Sequence, residues 1–241
     1  MKLEQRALRF PSGGNALIGI VDVPERPLGR GMLLLHDSLQ YRAGSHRQFT
    51  LLSRLLAARG VAVLRFDCTA SGDSAGGLDA GKAERAEDIA AAMKEFFIHV
   101  PEMKESVILA PGDAAPAAAA YARRDARVTG LALLEPLWPA PAVRPPFPSP
   151  SYSAADRLFR RAAAFRRAAV RARADADAAP VTPMEGALGD YGGQVLVVGG
   201  ESVDPARPRS RHVAMAPAEL MRRSAWRDAV AFACASWLTS W

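Results

Sequence analysis

The chain has 241 residues, of which 49% are hydrophobic and 23% charged. These proportions are ordinary for a globular protein and exclude a wholly disordered chain, and the length suits one domain with a substantial core. The two cysteines, Cys68 and Cys234, are too few for a disulfide framework and favour a reducing compartment. Because the sequence has no CxxC pair and no His/Cys cluster, we expect no metal site and no cofactor.

The formal net charge of +6 comes mainly from arginine. A basic balance permits acidic partners without requiring them, and no recognised DNA- or RNA-binding motif accompanies it, so nucleic acid is the least favoured partner. The N-terminal sequence MKLEQRALRF lacks the apolar region of a signal peptide, and no run reaches 18 apolar residues. We therefore expect a cytoplasmic protein. The oligomeric state stays open.

The first part of the chain is typical of a β-hairpin followed by strands that alternate with helices. The predicted strands are Leu3–Phe10, Ala16–Val23, Met32–Leu35, Val61–Phe66, Val107–Ala110 and Val128–Leu134, with a turn at Pro11–Gly14. The predicted helices are Arg47–Arg59, Ala83–Val100 and Asp113–Ala122. Such an alternation indicates a mostly parallel sheet with helices on both faces.

The alternation stops between about residues 135 and 193. This stretch opens with PLWPAPAVRPPFPSP, which is too rich in proline for a central strand, and continues as a predicted Arg/Ala helix, Ala154–Ala176. Two strands, Gln194–Val198 and His212–Met215, and a closing helix, Trp226–Trp241, follow it. We therefore predict an α/β core formed by 1–135 and 194–241, with 136–193 as a lid insertion.

The loops that follow the parallel strands are the predicted functional edge, because ligands of open α/β sheets bind beyond the carboxyl ends of the strands. The loop after Met32–Leu35 supplies the candidate ligand-binding and oxyanion-hole residues His36, Asp37, Ser38, Leu39, Arg42 and His46. Arg42 and His46 have two interpretations: they bind an anionic group beside the start of a helix, or they tie the loop to its neighbours.

Three segments resemble one bacterial family. They are QYRAGSHRQF at Gln40–Phe49, LRFDCTASGDSAG at Leu64–Gly76 and AWRDAVAFACASWL at Ala225–Leu238. All three resemble the exosortase A system-associated hydrolase 1 family, which accompanies exopolysaccharide and protein-sorting loci. The resemblance implies an α/β-hydrolase fold with a short, remodelled lid.

The resemblance also implies a catalytic triad of nucleophile, acid and histidine. The family's nucleophile elbow resembles Gly-x-Cys-Asp-Ala, and the matching residues here are Ala110–Ala114, which put Gly112 in the nucleophile position. The base position falls at Glu219, and the acid position at Glu201 or, as second choice, Asp204. Because glycine has no attacking atom and a carboxylate replaces the imidazole, we expect ester and thioester hydrolysis to be lost or weak.

Three functions remain open at this point. The first is binding of a small acyl- or glycan-related ligand, or of a partner from the exopolysaccharide pathway. The second is an active hydrolase with Asp113 or Ser38 as a non-standard nucleophile, although a carboxylate at a helix start and a loop serine are common structural features. The third is binding of an anionic polymer or membrane surface through the arginines of Arg157–Arg173, although a solvated lid helix is favoured.

Overall fold

The computed structural model describes residues 2–38, 40–76, 82–138, 184–199, 208–214 and 223–241, without the side chains of 82–84, 185 and 223–227. The described strands are β1 (Leu3–Ser12), β2 (Asn15–Pro24), β3 (Arg30–Leu34), β4 (Val63–Phe66), β5 (Glu105–Pro111), β6 (Val128–Leu134), β7 (Gln194–Val198) and β8 (Ser210–Val213). The described α-helices are α1 (Gln48–Ala57), α2 (Lys82–His99), α3 (Ala115–Ala122), α4 (Met184–Leu188) and α5 (Arg223–Leu238).

These strands form one sheet in the order β1-β2-β4-β3-β5-β6-β7-β8. The pairs β1–β2 and β2–β4 are antiparallel, and every other pair is parallel. The predicted hairpin and mostly parallel sheet are therefore confirmed. Since β3 lies directly beside β5, the loop after β3 and the turn after β5 meet at one edge of the sheet.

Helices cover both faces of the sheet, as predicted. On one face, side chains of α2 such as Ile89 and Phe96 pack with Leu33 of β3. On the other face, Phe49 of α1 and Trp237 of α5 belong to a second apolar cluster. Successive residues of β3 alternate between the two clusters, which explains why this strand is an unbroken apolar run in the sequence.

Several predicted boundaries were wrong by a few residues. The hairpin turn is Gly13–Gly14 rather than Pro11–Gly14, because both glycines adopt positive φ angles, 51° and 82°, and a two-residue turn leaves Pro11 in the ladder. The strand predicted at His212–Met215 is Ser210–Val213, in register with β7. The closing helix is Arg223–Leu238, and the short helix Met184–Leu188 was not predicted.

Part of the predicted architecture lies outside the described residues. This applies to the lid helix Ala154–Ala176 with its arginines, to most of the insertion 136–193, and to the candidate site residues Leu39, Glu201, Asp204 and Glu219. Among the described helices, none has the length and apolar character needed to cross a bilayer.

Candidate functional site

The turn after β5 leads from a strand into a helix through a residue with a positive φ, and it is called the elbow below. Pro111 is extended, with φ −83° and ψ 147°, and Gly112 then adopts a φ of +52° at the start of a 3₁₀ turn that leads into α3. A Cβ atom built on Gly112 would find its nearest neighbour, the Cβ of Asp37, at 3.5 Å, which is ordinary contact distance. The turn therefore has room for a larger side chain, and the glycine supplies none.

Two of the candidate site residues meet at this turn. The Oδ1 atom of Asp113 accepts the backbone N–H of Ser38 at 2.9 Å, and its Oδ2 atom accepts the Ser38 hydroxyl in a short hydrogen bond. The Asp113 side chain is 11% exposed. The N–H group of Ser38, a candidate oxyanion-hole donor, is thus already bound to a carboxylate of the same chain.

A third side chain approaches this pair from α2. The Nη1 atom of Arg85 lies 3.8 Å from Oδ1 of Asp113 and donates to the Asp113 carbonyl oxygen at 3.4 Å. Arg85 was not among the residues predicted for the site, because nothing in a regular helix pattern shows which arginine faces the carboxyl edge. Asp113 itself lies in the turn Gly112–Ala114 that precedes α3, not in the regular helix predicted from this residue onward.

The side chain of Gln40 holds the loop after β3 in place. Gln40 donates from Nε2 to Oδ2 of Asp37 at 2.9 Å. Its Oε1 atom accepts the Ser45 N–H at 3.1 Å and the Gln48 Nε2 at 2.9 Å. Gln40 therefore connects Asp37, which faces the elbow glycine, to the first turn of α1.

His36 is fully buried between the ends of β3 and β4. Its Nδ1 lies 2.8 Å from the Asp37 carbonyl oxygen, and its Nε2 lies 3.3 Å from the Cys68 N–H. Because the carbonyl can only accept and the N–H can only donate, these partners select the neutral tautomer with the proton on Nδ1. Burial lowers the pKa of His36, in agreement with a neutral ring. His36 thus links two loops through backbone groups.

Arg42 binds carboxylates of this chain. Its guanidinium forms an ion pair with the buried Asp67 and a second, at 2.6 Å, with the exposed Asp73. The Asp67 carboxylate also accepts the backbone N–H groups of Arg42 at 2.6 Å and Asp73 at 3.0 Å. For Arg42, these contacts favour the structural interpretation. His46 lies exposed in the 3₁₀ turn Ser45–Arg47, with a left-handed φ of 52°.

Both cysteines are buried and free of disulfides. Cys68 is 4% exposed, and its backbone N–H is the group that contacts His36. Cys234 lies in the core between α5 and the sheet, and burial raises the pKa of its thiol to about 12. This burial agrees with the interpretation of Cys68 as a small apolar side chain.

The loop after β6 contacts the elbow through Leu137. The Leu137 N–H donates to the Gly112 carbonyl oxygen at 3.0 Å, and its Cδ1 atom would lie 3.9 Å from a Cβ on Gly112. This region falls at the start of the predicted lid, although its position after a parallel strand could have placed it at the functional edge. His212, on β8, has a buried Nε2 without a partner among the described residues. Within those residues, no three His, Cys, Asp or Glu side chains cluster in a way that would hold a metal ion.

No protein-family model matches the chain, and no curated protein matches it. Several solved structures, however, superpose on the chain. An esterase of Pyrococcus furiosus superposes with a TM-score of 0.64 at 14% identity, over 98% of this chain and 91% of the esterase. A lidless α/β serine hydrolase of Xanthomonas campestris superposes with a TM-score of 0.60 at 20% identity, over 99% of this chain and 97% of that one.

A third structure agrees with these two. An α/β serine hydrolase homologue of Coxiella burnetii has a TM-score of 0.61 at 13% identity, with 94% of this chain and 96% of that chain covered. Structural similarity at such low sequence identity shows the fold and nothing further. Together with the strand order and the elbow, it establishes that this chain has the α/β-hydrolase fold.

Proposed function

We propose that this chain is a relative of the exosortase A system-associated hydrolases that has lost its nucleophile. In this proposal, ester and thioester hydrolysis is absent or very weak. The retained role is binding of a small acyl- or glycan-related molecule, or of a partner from the exopolysaccharide pathway. The segments Gln40–Phe49 and Leu64–Gly76 support the family, and both lie at the carboxyl edge of the sheet or lead into it.

The observation that carries the proposal is the backbone at Gly112. An elbow that no longer presents a side chain still has a φ of +52° and free space in the Cβ direction. In one serine protease, removing the nucleophile alone lowers kcat by about 10⁶-fold. An elbow with glycine in the nucleophile position is therefore expected to leave almost no triad-type turnover.

The contact between Ser38 and Asp113 gives independent support. An oxyanion hole stabilises negative charge through N–H donors that are free to receive it. In this chain the Ser38 N–H already donates to Asp113 at 2.9 Å, so an incoming oxyanion would meet a carboxylate at this point. Repulsion between the two negative charges opposes hydrolysis and is compatible with binding of neutral ligands.

Hydrolysis of p-nitrophenyl acetate and butyrate tests the proposal. We expect the purified protein to match the buffer rate, and Ser38→Ala and Asp113→Asn to change nothing. The remote serine Ser240, whose hydroxyl bonds to a backbone carbonyl at 2.8 Å, provides the control Ser240→Ala. Combining Gly112→Cys and Glu219→His with Asp113→Asn is expected to create turnover. The triple variant restores a thiol and an imidazole where the family resemblance places them, and it removes the negative charge beside the Ser38 N–H. Turnover in the unmodified protein that falls with Ser38→Ala would contradict the proposal.

One observation favours a second candidate function. The Ser38 hydroxyl donates to the Asp113 carboxylate, which is the contact expected of a nucleophile and its general base. In that case the protein is an active hydrolase with a serine–aspartate pair. A carboxylate is a weaker base than imidazole near neutral pH, so this arrangement is the less effective one. Ester turnover that is lost in both Ser38→Ala and Asp113→Asn would support it over the first proposal.

A further inference from the structure

Strand β1 lies at one edge of the sheet. Within the described part of the chain, its ten residues pair with β2 on one side and with no strand on the other. The register with β2 is regular from Leu3 to Ser12, without a shift. A regular edge strand of this length presents a row of backbone groups that can pair with a strand of another molecule. The strand at the opposite edge, β8, has only four residues.

The ladder between β1 and β2 shows which backbone groups of β1 point to the open side. The Lys2 carbonyl oxygen accepts the Glu25 N–H at 3.0 Å, so Lys2 faces β2. Because the backbone groups of an antiparallel strand alternate between its two sides, every second residue after Lys2 faces β2 as well. In agreement, Ile18 of β2, which lies opposite Arg9, uses its carbonyl oxygen on the β4 side. The residues of β1 with outward N–H and C=O groups are therefore Leu3, Gln5, Ala7 and Arg9, with Pro11 offering its carbonyl alone.

Pro11 limits the open edge at its end. Because proline has no N–H, a neighbouring strand would receive no hydrogen bond from this outward position. The stretch that can pair fully therefore runs from Leu3 to Arg9. Two copies of one chain that pair antiparallel through this stretch are related by a twofold axis, and each copy uses its own edge in doing so. Such a pair is closed and does not grow into a longer assembly.

Two side chains of opposite charge lie on the same face of this stretch. Arg6 and Glu4 form an ion pair along the strand, with 2.7 Å between Nε and Oε1. Arg6 also donates to the His99 carbonyl oxygen at 2.9 Å. The side chain of Arg6 is 36% exposed and that of Glu4 is 60% exposed, so both charges are accessible to a strand that pairs with β1.

These two charges select one register for a second copy of the chain. When Gln5 lies opposite Gln5 of the partner subunit, Glu4 lies opposite the partner's Arg6, in the non-hydrogen-bonded position where side chains are closest. Each of the four charges then has opposite charges beside it, along its own strand and across the pair. Moving the twofold axis to either neighbouring residue would place Glu4 opposite the partner's Glu4, or Arg6 opposite the partner's Arg6. Like charges directly opposite each other are destabilising, so both of these registers are disfavoured.

Exposed apolar side chains lie beside the same edge. In the register centred on Gln5, Leu3, which is 37% exposed, lies opposite the partner's Ala7, and Ala7 is exposed in the single chain. Ile98, which is 58% exposed, precedes His99, whose carbonyl oxygen binds Arg6 on the face of β1 that α2 covers. Removing such apolar surface from water favours association at this edge.

We propose that two copies of this chain associate through β1, as an antiparallel pair centred on Gln5 that joins the two sheets into one. Backbone hydrogen bonds connect Leu3 with the partner's Ala7 and Gln5 with the partner's Gln5, and the ion pairs between Glu4 and the partner's Arg6 fix the register. One strand from each copy makes a small interface, so the dimer exchanges with the monomer and has a Kd in the micromolar range. The elbow lies after β5, so this association does not depend on the proposed function.

Sedimentation velocity of the full chain over a series of protein concentrations tests this proposal. We expect a dimer that forms as the concentration rises. Arg6→Glu should weaken it by about tenfold or more, because Glu4 then lies opposite a second carboxylate. Arg9→Glu makes the same change of net charge on the same strand but outside the ion-paired positions, and it should not weaken the dimer.

The charge swap Glu4→Arg with Arg6→Glu separates a loss of complementarity from local damage to β1. The swap also loses the bond from Arg6 to His99, but it restores opposite charges at every position of the register, so the dimer should return. Amide hydrogen exchange gives a second measure, since the outward N–H groups of Gln5 and Ala7 should exchange more slowly when the dimer forms. A monomer at every concentration would overturn the proposal. A dimer that Arg6→Glu leaves intact, or one that the swap does not restore, would also overturn it.

Discussion

The carboxylate of Asp113 holds both the backbone N–H and the hydroxyl of Ser38, a residue 75 positions earlier in the chain. The contact joins the loop after β3 to the turn after β5, directly beside Gly112. It brings together the two residues that the sequence offers as alternative nucleophiles. The free energy that the Ser38–Asp113 contact contributes, and the reactivity of the Ser38 hydroxyl, are therefore the first properties to measure.

A double-mutant cycle on Ser38→Ala and Asp113→Ala measures the energy of this contact. Hydrogen bonds to a charged group contribute about 1.5–3 kcal/mol, and the backbone N–H bond is lost only with Asp113. We expect Asp113→Ala to be the more destabilising change and the coupling energy to be about 1 kcal/mol or more. Urea denaturation of the four proteins gives both values. Additive effects of the two substitutions would show that the hydroxyl does not contribute.

Gly112→Ala tests whether the elbow has room for a side chain. The nearest atom to the new Cβ is at 3.5 Å, so the only cost is the positive φ of 52°, about 1–2 kcal/mol. The variant should fold and unfold cooperatively, with a free energy of unfolding lowered by about that amount. Loss of the folded state would show that the turn is closed to a nucleophile.

Gly72→Ala is expected to be much more damaging, although its φ of +54° is nearly the same. Its Cβ would overlap the carboxylate of the buried Asp67, which accepts hydrogen bonds from Arg42 and Asp73. Displacing this carboxylate leaves a buried charge without partners, at a cost of about 3 kcal/mol or more. Gly14→Ala, with a φ of +82° and no atom within 4 Å, is the matched control and should cost about 1–2 kcal/mol, the cost of the positive φ alone. Chemical denaturation compares the two variants.

The burial of His36 predicts a loss of stability in acid. Because burial lowers the pKa of His36 below its ordinary value of 6.5, the unfolded chain takes up a proton at a higher pH than the folded chain. The stability present above pH 6.5 is then lost as the pH falls toward the folded-state pKa. His36→Gln should reduce the slope of unfolding free energy against pH in this range, as measured by denaturation at several pH values.

Cys234 should be unreactive in the folded protein. Its side chain is fully buried, and burial raises the pKa of the thiol to about 12, so almost no thiolate is present near neutral pH. In a Cys68→Ala background, a thiol reagent such as dithionitrobenzoate should react with no thiol in buffer and with one in denaturant. Rapid reaction in buffer would show that α5 opens away from the sheet.

Much of the fold could be predicted from the sequence because its signals are local. The apolar run at Met32–Leu35 and the boundaries of Val128–Leu134 follow from short-range burial patterns. The pairing of Ser38 with Asp113 and the approach of Arg85 depend on which strands become neighbours, which is a long-range property. The end of β5 at Pro111 could not be predicted for the same reason. Proline has no N–H, so a strand can include it only where the neighbouring strand requires no hydrogen bond from that position, and this depends on which strand is the neighbour.

Labelling with a fluorophosphonate, read by intact mass, tests the central claim most directly, because it detects an activated serine without knowledge of the substrate. We expect the protein to keep its unmodified mass under conditions in which an active serine esterase is fully labelled. A single adduct per chain that disappears in Ser38→Ala would contradict the claim that this edge of the sheet carries no working nucleophile.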